Sequence, residues 1–226
     1  MRLAACAGLK RKIDSGELDV GRIFFADEKN FVIGQAGRKS ARNFRIWGDV
    51  ALKKRDLAAE DGVRTKKQGG VSVMIALGVC ANGIGALHFC EKGVKTNKEN
   101  YLELLQKTYH PDMEELIGDG YTFQQDGASS HTAKVVLDWI KHEGGFPLQP
   151  WAPNSPDLNP LDYGIWGMIE PEVSAGKPDA ELELRVAIRK AFKTSDANKV
   201  RGTCLAFAKR LEMCIAAGGN QFEYKM

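Results

Sequence analysis

Three acidic segments in a fixed order hold the residue types that can do chemistry in this chain. They are Phe24-Phe25-Ala26-Asp27-Glu28-Lys29, Phe123-Gln124-Gln125-Asp126-Gly127-Ala128-Ser129-Ser130-His131 and Ser155-Pro156-Asp157-Leu158-Asn159-Pro160-Leu161-Asp162-Tyr163. Asp27 and Asp126 each close an apolar, strand-like run. Asp162 falls in the first turn of a helix that Asn159-Pro160 starts, since Asn suits the cap and Pro the first helical position. Hard divalent cations prefer carboxylate oxygen. Two such ions about 4 Å apart can activate an attacking oxygen and stabilise the leaving one at a phosphodiester. Taken singly, each acid has a plainer role. A strand-end Asp caps a turn, and an acid at a helix start answers the helix dipole.

The elements that must position these acids follow from the hydrophobic pattern. Residues 1–20 read as a short helix and connector. Residues 22–27 read as a strand, which 31–33 extend or follow with another. Val71 to Val79 and Ile84 to Phe89 read as antiparallel strands joined by a turn at Asn82-Gly83. Asn97 or Thr96 caps a helix over 98–107, Pro111 interrupts it, and 113–117 add a short helical piece. A strand over 121–125 leads to Asp126, and 131–141 form a helix with Val135, Val136, Trp139 and Ile140 on its apolar face, ended by Gly144-Gly145. A last short strand is expected at 146–149. Amphipathic helices are expected over 179–194 and 197–216. This order of elements argues for an α/β fold, a mixed sheet flanked by helices.

Composition bounds the rest. The chain has 226 residues, 43% hydrophobic and 27% charged, which suits one globular domain. Its net charge of +3 is too small to imply a nucleic-acid partner by itself. Basic residues concentrate early, at 10–12, at Arg38, Lys39, Arg42 and Arg45, at 53–55, and at Arg64, Lys66 and Lys67. Each cluster alone reads as a solvated loop, but residues 34–69 together form a long basic insertion of the kind that often carries function. Five cysteines, an odd number with no CxxC pair, argue against a disulfide framework and for a reducing compartment. Cys80, His88 and Cys90 read as part of a buried strand region rather than a metal cluster. No signal peptide is visible, and the apolar run 71–89 is broken by a turn, so no membrane partner is expected.

The words around the acids resemble the catalytic domain of mariner-type transposases of the DDE/D superfamily. Phe123-Gln124-Gln125-Asp126-Gly127-Ala128-Ser129-Ser130-His131 matches one family word. Trp151-Ala152-Pro153-Asn154-Ser155-Pro156-Asp157-Leu158-Asn159-Pro160-Leu161-Asp162-Tyr163-Gly164-Ile165-Trp166 matches another. Asp27-Glu28-Lys29, followed by basic residues and Arg45-Ile46-Trp47-Gly48, matches the family's opening segment. The resemblance runs from about Arg22 to about Ile169. It implies an RNase H-like mixed five-stranded sheet and a metal-dependent polynucleotidyl transferase and endonuclease. It also implies two Mg²⁺ or Mn²⁺ ions, transposon ends and target DNA as partners, a homodimer and a nuclear location.

The family's three metal-binding, catalytic acids fall on Asp27, Asp126 and Asp162. The last family acid follows the Pro-Asp-Leu-Asn-Pro word, which selects Asp162 over Asp157; Asp157 and Asn159 build the turn that aims it. His131 is an accessory candidate for positioning DNA or metal-bound water. Glu28 points away from Asp27 if the strand alternates. Lys29, Arg38, Lys39, Arg42, Arg45, Lys66 and Lys67 are candidates for DNA phosphate contacts. Trp47, Trp151 and Trp166 read as packing residues. The implied organisation is a connector remnant over 1–21, the catalytic domain over 22–176, and C-terminal helices over 177–226 packed on it. The family's paired helix-turn-helix units do not fit in the residues before the first strand. The alternative is therefore a truncated or co-opted remnant that binds DNA without catalysing transposition. A nuclease acting on RNA–DNA hybrids is a third, more distant reading.

Overall fold

The computed structural model describes residues 1–32, 71–91, 93, 97–149, 151–152 and 154–223. The basic stretch 34–69 lies outside them.

Helix α1 (Arg2–Asp14) precedes the strand on which the fold is built, β1 (Ile23–Val32). β-branched and aromatic residues favour a pleated strand here, and they alternate between its two faces. Ile23, Phe25 and Phe31 enter one core, whereas Phe24 and Ala26 enter another. β2 (Ser72–Cys80) runs antiparallel to β1, from Phe25 opposite Val79 to Val32 opposite Ser72. β3 (Gly83–Ile84) and β4 (His88–Phe89) both pair antiparallel with β2. β5 (Thr122–Gln124) lies parallel on the other side of β1. The result is the expected mixed five-stranded sheet, with β3, β2, β1 and β5 in that order and β4 also on β2. Gly78 lets β2 approach the ring of Phe24. A Cβ there would stand 2.0 Å from a ring carbon, so no other residue fits without displacing that side chain.

One face of the sheet is covered by α2 (Lys98–Leu104), α3 (His110–Leu116) and α4 (Lys134–Trp139). Tyr101, Leu105, Tyr109, Val136 and Ile140 pack there on Phe24 and Phe123. The other face carries α1 together with α5 (Trp166–Ala175), α6 (Glu181–Lys193), α7 (Ala197–Leu205) and α8 (Phe207–Ala216). Phe25 meets Phe207 edge-on at 5.2 Å. Burying an aromatic of this kind contributes roughly 1.5–3 kcal/mol.

Several boundaries differ from expectation for local reasons. Pro111 does not interrupt its helix. A wider π-type turn over Leu105–Tyr109 joins α2 to α3, and Pro111 falls in the first turn of α3, where a missing N–H costs least. The helix expected to begin at His131 begins at Lys134, because 129–132 form a turn instead. It ends as expected, with Gly145 in the left-handed conformation at φ 69°. The strand expected at 146–149 is a single parallel bridge from Leu148 to Phe123. The helix expected over 197–216 is divided at Ala206 into α7 and α8.

Candidate active site

The β1–β5 register brings the first two acids together. Phe25 stands opposite Gln124, so continuing two residues along each parallel strand puts Asp27 level with Asp126. Asp27 lies mid-way along β1, which runs on to Val32 rather than ending at the acid, and Asp126 lies just past the carboxyl end of β5. Both sit beyond the parallel-paired stretch, on the side where open α/β sheets place their sites. Asp162 comes from a third element, the π-type turn Leu161–Ile165 that opens into α5. Asn159 joins that element to β1. Its side-chain nitrogen donates to the Ala26 carbonyl at 3.4 Å, and its Oδ1 accepts from the Leu161 N–H at 3.1 Å. Asp27, Asp126 and Asp162 thereby line one cavity of about 410 Å³, shared with Gly127, Asn154 and Asn159.

Asp157 has a different place. It is buried, its carboxylate is paired with Arg2, and its carbonyl accepts from Arg210 Nε. Arg2 also donates to the Asn154 carbonyl at 3.2 Å. The short helix expected in the N-terminal stretch is α1, packed on α8 with Cys6 and Cys214 sulfurs 3.3 Å apart and with Arg2 bracing the loop before Asp162.

The electrostatics of the acids differ. Burial pushes the Asp27 carboxyl up to about 7; the charges of Asp162 and Glu28 add to this, and a hydrogen bond from Trp166 opposes it. That bond runs from Trp166 Nε1 to Asp27 Oδ2 at 2.8 Å. Burial likewise lifts Asp162 to about 6, helped by Asp126 and opposed by Lys29. Asp126 is held below the usual carboxylate range, chiefly by His131. Burial lowers the pKa of His131, but Asp126 and Glu28 outweigh it and raise it to about 9.

His131 is buried. Its side chain is only 5% exposed, its ring stacks on Tyr101 at 3.8 Å, and Nδ1 lies 2.6 Å from Asp126 Oδ1. Gln125 supports it from below: Tyr101 Oη donates to Gln125 Oε1 at 2.6 Å, and Gln125 Nε2 donates to the His131 carbonyl at 3.0 Å. Glu28 points to the face opposite Asp27, as alternation requires, with Oε1 3.5 Å from His131 Nε2. Lys29 is partly exposed. It pairs with Glu170 at 2.7 Å and lies over the Trp166 ring. Arg38, Lys39, Arg42, Arg45, Lys66, Lys67 and Trp47 fall outside the described residues. Trp151 does pack, stacked on Phe207.

The sequence signals for Trp166, Gln125 and Arg2 were weaker than those for the acids. Trp166 follows Asp162 by one helical turn and so shares its face. Gln125 is a polar residue continuing an apolar strand, a mark of a buried polar role. Nothing in the local sequence links Arg2 to Asp157.

The donor set is one that suits hard cations: three carboxylates from three elements, two of them raised by burial in a shared cavity. As placed, no group of three or more His, Cys, Asp or Glu side chains among the described residues is gathered closely enough to hold an ion. Two of the acids have partners of their own, Trp166 on Asp27 and His131 on Asp126.

No family model matches the chain. It is 27% identical over 173 residues to the Tcb2 transposase of Caenorhabditis briggsae, covering 76% of this chain and 59% of that protein. It is 26% identical over 227 residues to the Tc1 transposase of Caenorhabditis elegans, covering 99% of this chain and 78% of that protein. The chain thus spans less than two thirds of the Tcb2 protein's length. Among solved structures, a Mos1 transposase paired-end complex with left transposon end superposes with a TM-score of 0.79 at 21% identity, over 98% of this chain and 62% of that one. The Mos1 transposase catalytic domain with raltegravir and Mg superposes with a TM-score of 0.71 at 19% identity, over 98% of this chain and 95% of that one. The chain is thus similar in sequence to the Tcb2 and Tc1 transposases, and it shares its fold with the Mos1 mariner catalytic domain.

Proposed function

We propose that this chain is a transposase catalytic domain that cuts DNA strands and joins the freed ends to target DNA. The observation that carries the proposal is the meeting of Asp27, Asp126 and Asp162, from three separate elements, in one cavity. The relatives named above are transposases, and the fold neighbours include forms solved with Mg, with Mn and with a transposon end. By this reading Asp27, Asp126 and Asp162 hold two divalent ions, Mg²⁺ or Mn²⁺. When bound, such ions supply Lewis-acid activation of the attacking oxygen and charge stabilisation at the leaving one. Trp166 fixes one oxygen of Asp27, and His131 orients Asp126. Asn159 keeps the Asp162 element against β1. DNA is the partner, bound by a homodimer, and the setting is the nucleus. The five free cysteines suit that reducing compartment. Among the described residues, no helix is long and apolar enough to cross a membrane.

The test is nicking of duplex DNA in Mg²⁺ or Mn²⁺ by the wild type and Asp126→Asn. Metal-dependent nicking by the wild type alone supports the proposal, and equal activity in the two removes Asp126 from it. The second reading is a remnant that binds DNA without cutting it. DNA affinity independent of metal, with no nicking by the wild type, would decide for the remnant.

A further inference from the structure

We propose that Glu28, on the back of the sheet, is a positioning residue that keeps Asp126 oriented by holding the His131 ring. The inference rests on the proposed use of Asp126 as an ion-holding acid. Glu28 follows Asp27 directly in β1, so its side chain emerges on the opposite face. There it lines a separate cavity of about 490 Å³ with His88, Cys90, Glu103 and Lys107. Its Oε1 faces His131 Nε2 at 3.5 Å, while His131 Nδ1 faces Asp126 Oδ1 at 2.6 Å. The imidazole therefore bridges a back-face carboxylate and a front-site carboxylate.

The surroundings of the ring divide the work. Stacking on Tyr101 sets the plane of the imidazole, and the Gln125 hydrogen bond sets the His131 backbone. Neither chooses between the two orientations related by a half-turn about the bond to the ring. That half-turn would exchange each nitrogen with a carbon and leave Asp126 facing a C–H. Only a carboxylate on each side selects the productive orientation. Asp126 can do so while its Oδ1 rests on the ring. Once that carboxylate turns toward an ion, Glu28 is the group that still holds the ring in register. Groups that orient an ion's carboxylate ligand this way are worth about 10–100-fold in metal affinity.

The test uses the whole chain with ¹⁵N-labelled histidine. In metal-free wild type, His131 is expected to give one set of ring nitrogen signals, with both nitrogens in N–H contact. Glu28→Gln is expected to shift the Nε2 signal and split the ring into two sets. Glu28→Asp, which keeps the charge on a shorter arm, is expected to fall between them. Mn²⁺ titration followed by electron paramagnetic resonance is expected to show about tenfold weaker binding in Glu28→Gln. The double variant with His131→Asn should bind no more weakly than His131→Asn alone, since Glu28 acts through that ring. Unchanged ring signals in Glu28→Gln overturn the proposal whether or not metal binds. A lowered melting temperature with wild-type Mn²⁺ affinity also overturns it, because that is the signature of a purely structural role. If Asp126→Asn binds Mn²⁺ as the wild type does, it is the functional reading that fails, and the ring signals still decide whether Glu28 holds His131.

Discussion

Asp27 on β1 and Asp126 just past the end of the parallel β5 are neighbours in the site, yet their surroundings are opposite in sign. Asp27 is enclosed against the larger core, with a neutral indole as its hydrogen-bond donor and a carboxylate neighbour in Asp162. Asp126 is half-exposed just past β5 and faces an imidazole that the smaller core supports. The first acid is tolerated by the fold, whereas the second is favoured by it. A site built on both faces of one sheet can thus hold neighbouring carboxylates at different proton affinities without a change of residue type.

The sharpest way to break this comparison is activity. Asp27→Asn and Asp126→Asn should each reduce metal-dependent nicking by on the order of 10³-fold or more, if both act as one unit. A large loss in only one would separate the acids functionally as well as electrostatically. Stability should then part them in sign. The Asp27 carboxyl keeps its proton in the folded chain where the unfolded chain has lost it, so its ionisation opposes folding. Its burden is absent below about pH 4, grows as the pH rises, and levels off above about 7. Asp27→Asn should therefore stabilise the metal-free protein at pH 8 by roughly 2–4 kcal/mol, measured by urea unfolding. Asp126→Asn should destabilise it by about 1 kcal/mol, a value kept small because that carboxylate is half-exposed. A loss of stability in both variants would erase the contrast.

The sheet and both kinds of flanking element could be read from the sequence, because apolar periodicity and turn residues act locally. The acids were readable for a different reason: each is embedded in a long word, and Asn159-Pro160 marks the helix start that Asp162 needs. Contacts between distant segments were not readable. Arg2 on Asp157 and Trp166 on Asp27 join residues far apart in the chain, and no local propensity encodes such a meeting. The Pro111 boundary was missed because a π-type turn moves a proline to a harmless position. His131 was placed at a helix start as an accessory to the acids, but it lies in a turn, where Tyr101 and Gln125 hold it inward.

Smaller perturbations sharpen the same contrast. Trp166→Phe keeps an aromatic in the core and removes the indole donor. The Asp27 pKa should rise further, seen by carboxyl NMR, with a stability cost of about 1 kcal/mol. Lys29→Gln should raise the Asp162 pKa, since Lys29 opposes its upward shift, while changing stability by no more than about 0.5 kcal/mol. A Lys29 variant that leaves the Asp162 titration unchanged would remove that lysine from the site's electrostatics.

The clasp on the Asp157 loop has a consequence for the order in which the site is made. Arg2 comes from α1 and Arg210 from α8, and both grip Asp157 just ahead of the Asp162 turn. Synthesis delivers α1 first and α8 after every strand. A ribosome-bound chain can therefore form the β1–β5 pair, with Asp27 beside Asp126, while its third acid is still unclasped. The fully braced site waits for α8, so a nascent protein carries its acidic parts before it can hold them together.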